Sequence, residues 1–431
     1  MAEIEFIKTA ILNKLKGQFV NINEKEKLER IKIIGKTIEP SLDNETINAI
    51  YEDINNLDPI SNLLTDKDIE DIMINNTSNI FVYNSKFGEI KLNYKINTMA
   101  ELNKFVNKLK LYQTNESAEG NIIDVHLPNG SRANLISSPL GYNITIRNFR
   151  SQPFSIIDLI NANELSYKIA ARLWIYIDGF RIRPANLLIG GMPAAGKTTL
   201  LNALFSFFRP EQRVIVMEET YELNTEMQEN CVRLETNEYL KLDDLVKNSL
   251  RMRPDTMIIG EVRGEEANDM VSAMNVGKIV MGTIHASSTR DIVNRLTHSP
   301  MNVPIDIIPI IDALIMVSQI YINNKPVRKI NLISEISGIE TNKILLSDLY
   351  SYDFKTHQES DISPSITYRD LVARIMGVSP QYIINEEKIR ARILEQLNKL
   401  GKTSIKDINE VVRNYYANPK QTLIDLKLID N

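Results

Sequence analysis

Residues 191–198 read Gly-Met-Pro-Ala-Ala-Gly-Lys-Thr, the spacing G-x-x-x-x-G-K-S/T. The apolar run ANLLIGG leads in and TTLLNALFSFF leads out, predicting a buried strand, a tight loop and a helix. Gly191 and Gly196 let successive backbone N–H groups turn inward in a loop that Pro193, Ala194 and Ala195 complete, and the helix start adds partial positive charge. Such a loop cradles phosphate. Lys197 is placed to reach β- and γ-phosphates, Thr198 to ligate Mg²⁺ and Thr199 to contact the α-phosphate. A chance glycine turn is the plain alternative, and both flanks speak against it. The implied ligands are ATP and Mg²⁺.

Further along, LRMRPDTMIIGEVRG delivers Gly260 and Glu261 at the end of an apolar strand, where open α/β sheets place ligands. Glu261 is a candidate to polarise the attacking water or help hold the metal. The alternative is a surface ion pair with Arg263. Many P-loop ATPases carry Asp where this chain has Gly260. VIVMEETYEL ends in Glu218 and Glu219, which suit metal and water positioning or else form a solvated acidic turn. KIVMGTIHA carries His285 beyond a strand. A lone His is more often structural, but the end of a neighbouring strand places this one for a γ-phosphate contact. His126, His298 and His357 share no spacing with it and read as structural.

The elements that must position these residues form a helix-then-strand rhythm from a helix at about 166–180 onward. RVIVME, DTMIIGE and KIVMGTIHA are near-continuous apolar runs, the mark of a parallel sheet covered on both faces. The expected fold class is α/β: a P-loop, RecA-like domain at 157–363, its parallel sheet flanked by helices. Ahead of it, 58–150 read as an α+β domain with a helix at 98–111 (Met99, Leu102, Phe105, Val106 and Leu109 on one face) and strands around a Pro-Asn-Gly turn. SQPFS falls in a linker at 151–156. Residues 1–57 form a charged helical segment, and 364–431 a helical C-terminal region.

The chain has 50 Lys and Arg against 55 Asp and Glu, a net charge of −5, and no clustered basic arm. A duplex-coating protein carries such a footprint, so direct nucleic-acid binding is disfavoured. One cysteine, Cys231, excludes an internal disulfide and a thiolate metal cluster. The start lacks the order of a signal peptide. The most apolar late stretch, Ile305 to Ile322, is interrupted by Asp306, Pro309 and Asp312, so no membrane span is expected. A cytoplasmic protein that meets a membrane only through a partner is the expectation.

In order, GGMPAAGKTT, VIVMEETYEL, MRPDTMIIGEVRGEEA and GTIHASS resemble the Walker A, acidic, Walker B and histidine boxes of the type II and type IV secretion ATPase superfamily. LPNGSRANL and TIRNF resemble that family's arginine-bearing strands, and RLTHSPMNVP with the helical tail resembles its archaeal pilus and archaellum branch. The resemblance runs from about residue 57 to the end. It implies an ATP-hydrolysing, homo-oligomeric ring, a hexamer, that drives assembly of a pilus-like filament or protein secretion through an integral membrane platform protein. A conjugation or DNA-transport ATPase of the same superfamily, or a nucleotide-binding scaffold with little hydrolysis, are the rival readings. By position, Lys197 and Thr198 bind phosphate and Mg²⁺, Glu218 and Glu261 serve hydrolysis with the metal, and His285 senses phosphate. Arg132 and Arg147 close over the nucleotide as arginine fingers. Arg251, Arg253 and Arg263 tie the Walker B strand into its surroundings or line a subunit boundary. Two departures stand out: Glu219 where the family usually shows Asp, and Lys278 where it usually shows His.

Overall fold

A computed structural model of the chain describes residues 2–20, 22–114, 121–149, 153–209, 211–237, 239–322 and 325–430. The first two residues of the expected 151–156 linker lie outside them. The chain divides into two compact units, Met1–Ser151 with Ile322–Pro326, and Gln152–Tyr321 with Val327–Asn431.

The first unit carries strands β1 (Ile69–Ile74), β2 (Ile80–Asn84), β3 (Gly88–Lys91), β4 (Ile122–His126), β5 (Arg132–Ser138) and β6 (Gly141–Arg147). They pair antiparallel in the order β3-β2-β1-β6-β5-β4. Residues alternate faces along each strand, and the register stacks Val82, Ile72, Ile146, Ala133 and Val125 in one apolar row. That row packs with Leu102, Phe105, Val106 and Leu109 of the helix Met99–Leu109 in one cluster. Met99, expected on the buried face, begins the helix and is half exposed. The helices Ala2–Lys14, Glu24–Ile38 and Asn44–Asn55 insert Ile11, Leu15, Ile31, Ile47 and Ile50 into that same cluster. Their starts are set by side-chain caps: Asn23 and Glu26 close a capping box, and Asp43 accepts from the Thr46 N–H.

The second unit holds β7 (Leu187–Gly191), β8 (Val214–Glu218), β9 (Cys231–Glu235), β10 (Thr256–Val262), β11 (Ile279–His285), β12 (Ala313–Ile322), β13 (Lys325–Glu340), β14 (Lys343–Asp353) and β15 (Gln358–Asp361). The sheet order is β15-β14-β13-β12-β7-β11-β10-β8-β9. From β12 to β9 it is parallel; β13, β14 and β15 pair antiparallel. Period-2 alternation divides the strands between two cores. Leu187, Ile189, Val214 and Val216 face one apolar cluster, while Leu188, Ile215 and Met217 face the other. This is the RecA-like α/β layering the apolar runs predict. The run 313–361, which the sequence patterns leave unassigned, forms four strands. Ile305–Ile322 divides into a 3₁₀ turn, Ile305–Ile310, and the strand β12. Among the described residues no helix is long and apolar enough to cross a membrane.

Helices Tyr368–Met376, Pro380–Lys399, Ile405–Ala417 and Pro419–Asp425 complete the unit. They belong to the sheet's own core: Trp174 stacks on Phe207 at 5.3 Å and meets Tyr415 edge-on, and Arg390 is buried 2.9 Å from Asp178. Glu335 of β13 accepts from the Ser365 hydroxyl and the Thr367 and Tyr368 N–H groups, anchoring the first of these helices to the sheet.

Candidate nucleotide and catalytic site

Parallel pairing lines up the C-terminal ends of four neighbouring strands. His285 of β11 is paired with Gly191 of β7, and Met217 of β8 with Ile259 of β10. The next residues, Glu218 and Gly260, therefore stand side by side, and the segments carrying phosphate-loop, acidic and histidine chemistry share one edge.

The loop 191–196 turns tightly. Ala194 and Gly196 both have left-handed φ, 61° and 97°. A Cβ on Gly191 would lie 2.5 Å from the Val317 carbonyl oxygen, so only glycine fits there. Lys197 opens the helix Lys197–Leu204 with its ammonium turned inward, donating to the Gly191 oxygen at 3.0 Å and the Met192 oxygen at 3.3 Å. Ala195 is buried, Thr198 and Thr199 are half-buried, and Pro193 is exposed. Asn202, one turn into the helix, bonds the Asn224 N–H and the Glu222 carbonyl, tying it to the turn after β8.

Lys197 Nζ also lies 3.2 Å from His285 Nδ1. An ammonium only donates, so Nδ1 accepts and a neutral ring carries its proton on Nε2. Nε2 stands 2.8 Å from Glu261 Oε1, close but off the hydrogen-bond axis, so that contact is electrostatic. Burial and the Lys197 charge push the imidazole's pKa down, against the pull of Glu261. Burial tends to raise the Glu261 carboxyl, but the Arg263 hydrogen bond, the neighbouring His285 imidazole and the charges of Arg263 and Lys197 outweigh it and hold it below the usual range. A register shift between Ile259 and Val262 takes Gly260 and Glu261 out of regular pairing. Arg263 bridges two acids, donating to Glu261 Oε2 at 2.7 Å and to exposed Glu219 at 2.8 Å. The carboxylate's surface-pair alternative thus exists alongside its contact with His285.

Glu218 is buried, 2 % exposed. Its Oε1 accepts the Glu222 and Leu223 N–H groups, and its Oε2 accepts no hydrogen bond among the described residues. Burial pushes its pKa up to about 7, the two N–H bonds and Arg233 opposing. A Cβ on Gly260 would lie 2.8 Å from Glu218 Cγ. Gly260 is therefore the gap into which the β8 carboxylate fits.

Among the described residues no three His, Cys, Asp or Glu gather as a metal cage. A Mg²⁺ ion suits this donor set differently, held by one or two protein oxygens together with substrate phosphates. Thr198 and the unpartnered Glu218 Oε2 are fitting donors.

Two of the expected arginines are not brought to this edge. Arg251 and Arg253 are exposed and precede β10, at its opposite end from Glu261. Neither forms a hydrogen bond or ion pair among the described residues, so the expected tie to the Walker B strand is carried by Arg263 alone. Lys278, ahead of β11, reaches the Pro254 carbonyl at 3.3 Å, also at that far end. Arg132 and Arg147 belong to the first unit, directly paired across β5 and β6. They lie between Asp71 and His126 in one row on the face opposite the apolar core. The sequence patterns missed Arg328 of β13, whose Nε bonds the Ala194 carbonyl. Lying 134 positions from Ala194 and outside every motif, it left no local signal.

A central strand of a parallel sheet running through G-x-x-x-x-G-K-T into a helix defines a RecA-like α/β protein with a P-loop. The sequence profile of type II/IV secretion system proteins matches residues 53–339. The chain belongs to that family. An uncharacterized protein of Methanocaldococcus jannaschii is 31% identical over 80% of this chain and 64% of its own length, and a second from that organism is 36% identical over 50% and 31%. The chain thus spans less than two thirds of either relative. The probable conjugal transfer protein TrbB of Sinorhizobium fredii is 27% identical over 54% of this chain and 72% of its own. Among solved structures, the Legionella pneumophila ATPase DotB aligns over 85% of this chain and 94% of its own at 18% identity and TM-score 0.49. The pilus retraction motor PilT with bound ADP aligns over 79% and 92% at 15% identity and TM-score 0.47.

Proposed function

We propose that this protein is a Mg²⁺-dependent ATPase working as a homohexameric motor, and that it powers assembly of an archaeal pilus-like filament or protein secretion through a membrane platform protein. The observation that carries the reading is the chain Lys197–His285–Glu261, which joins a phosphate-binding ammonium to an ionised carboxylate at the phosphate loop. Membership of the secretion family and the Methanocaldococcus relatives support the archaeal setting.

Bound Mg²⁺ would neutralise charge on the β- and γ-phosphates. Lys197, now bonded to the loop's own carbonyls, exchanges them for phosphate oxygens. His285 then loses its Nδ1 donor and is free to turn toward the γ-phosphate or the attacking water. Glu261, kept ionised and braced by Arg263, orients that water and accepts its proton. Arg132 and Arg147 are the proposed arginine fingers, supplying paired positive charge to the transferring phosphoryl group. A cytoplasmic location at the membrane through the platform partner follows from this role.

Likeness to conjugal transfer proteins favours a second reading, export of DNA. The net charge of −5 leans against direct DNA contact.

The test is ATP turnover by purified protein with and without Mg²⁺, beside Lys197→Ala. Substitution should abolish turnover, a loss of about three orders of magnitude or more, given the electrostatic share of phosphoryl transfer. Turnover by Lys197→Ala equal to the parent's would reject the assignment.

A further inference from the structure

β12 and β13 form a wall against the phosphate loop. Arg328 Nε of β13 donates to the Ala194 carbonyl at 3.2 Å and to Gln319 Oε1 of β12 at 3.0 Å. Its Cδ would lie 3.4 Å from a Cβ placed on Gly196. The Val317 oxygen of β12 closes on Gly191 from the same strand pair.

Ala194 holds φ at 61° with a Cβ present, a strained conformation that persists only where its surroundings fix it. The Arg328 bond is such a restraint. A trans peptide is planar, with C=O and N–H pointing in opposite directions. Holding the Ala194 carbonyl on one side therefore turns the Ala195 N–H to the other, where it donates to the Met192 oxygen at 3.2 Å, a bond that a phosphate oxygen would replace. Inward N–H groups of this kind are the donors that cradle phosphates.

We propose that Arg328, braced by Gln319, is a positioning residue for nucleotide binding that fixes the Ala194–Ala195 peptide so that its N–H faces the phosphates of a bound nucleoside di- or triphosphate. The proposal rests on the P-loop binding nucleotide and adds a device that none of the sequence motifs contains. Arg328 acts through the loop, so ADP and ATP, which share the β-phosphate, depend on it equally.

The experiment titrates ADP and a non-hydrolysable ATP analogue into the full chain and into Arg328→Ala, Arg328→Lys and Gln319→Ala, with thermal melting of each. Arg328→Ala should weaken both ligands by about tenfold, one hydrogen bond's worth, and raise KM while leaving kcat within about twofold. Arg328→Lys should recover part of the loss, because an ammonium can reach one of the two oxygens but lacks the planar fork. Gln319→Ala should weaken both ligands by about threefold with an unchanged melting temperature. Parental affinity in Arg328→Ala overturns the proposal, and so does a loss confined to the ATP analogue, which signals direct γ-phosphate contact. Should Arg328→Ala fail to fold, unchanged ADP affinity in Gln319→Ala overturns it. Failure of the parent to bind either ligand defeats the nucleotide reading itself and takes this proposal with it.

Discussion

The two ends of the parallel sheet are built from the same strands and do different work. At the C-terminal edge, Gly191, Glu218, Glu261 and His285 come from four neighbouring strands: Gly191 and His285 contact Lys197, His285 contacts Glu261, and Glu218 is held by two N–H groups of the turn after β8. At the opposite end, Arg251, Arg253 and Lys278 meet solvent or a single carbonyl. Charge at the first end is held in fixed geometry by several partners and partial burial; at the second the arginines are solvated and half-buried Lys278 has one carbonyl. A departure from the usual family residue therefore matters according to which end it occupies.

The largest test of that contrast is Glu261→Gln. The amide keeps the shape but cannot accept a proton, and it ends the charge pairing with Arg263. Turnover should fall by a factor of about 10²–10⁴, the usual share of a general base, while ADP affinity changes little because Lys197 and the loop remain. Steady-state kinetics beside ADP titration checks this. Near-parental turnover would strip the C-terminal edge of its special status.

Glu218 gives a smaller, pH-dependent effect. Burial raises its carboxyl from the usual 4.5 to about 7. Folding of the ligand-free protein therefore favours the neutral form, a contribution present in full below pH 4.5 and lost as pH rises through about 7. The shift corresponds to stability on the order of 3 kcal/mol. Glu218→Gln should flatten that part of the stability curve between pH 5 and about 8 in thermal melts. Metal binding carries the opposite sign, since the ionised oxygen is the ligand. Affinity for Mg²⁺ with ADP should strengthen by several-fold from pH 6 to about 8 in the parent, and this rise should vanish in Glu218→Gln. Parallel curves for the two proteins would remove Glu218 from the metal site.

Legibility in the sequence follows from how local each signal is. Strands β7, β8, β10 and β11 are uninterrupted apolar runs because helices cover both their faces, and such runs stand out in a single chain. β13 does not: KPVRKINLISEISGIE mixes exposed charge with buried apolar positions, and two register shifts against β14 break its alternation. Its carboxylate Glu335 reads as a surface charge in sequence, yet it is fully buried because Tyr176, Ser365 and two backbone N–H groups satisfy it. The phosphate loop was readable since one continuous octapeptide carries it. The fit of Glu218 against Gly260 was not, because it depends on parallel register between distant segments.

Lys278 offers the sharpest small test. Where relatives usually show His, its ammonium bonds the Pro254 carbonyl at the start of β11, while His285 sits at the other end of that strand. Six residue steps of strand separate the ends of β11, about 20 Å at 3.3 Å per residue, well beyond the Debye length of about 8 Å at physiological salt. A half-buried charge at that distance, bonded to one backbone carbonyl, shifts the phosphate site little. Lys278→His should leave kcat and KM within about twofold and move stability by no more than about 0.5 kcal/mol, as for surface substitutions elsewhere. A large rise in turnover on restoring His would mean that the two ends of the strand are coupled, and that the far end takes part in the motor after all.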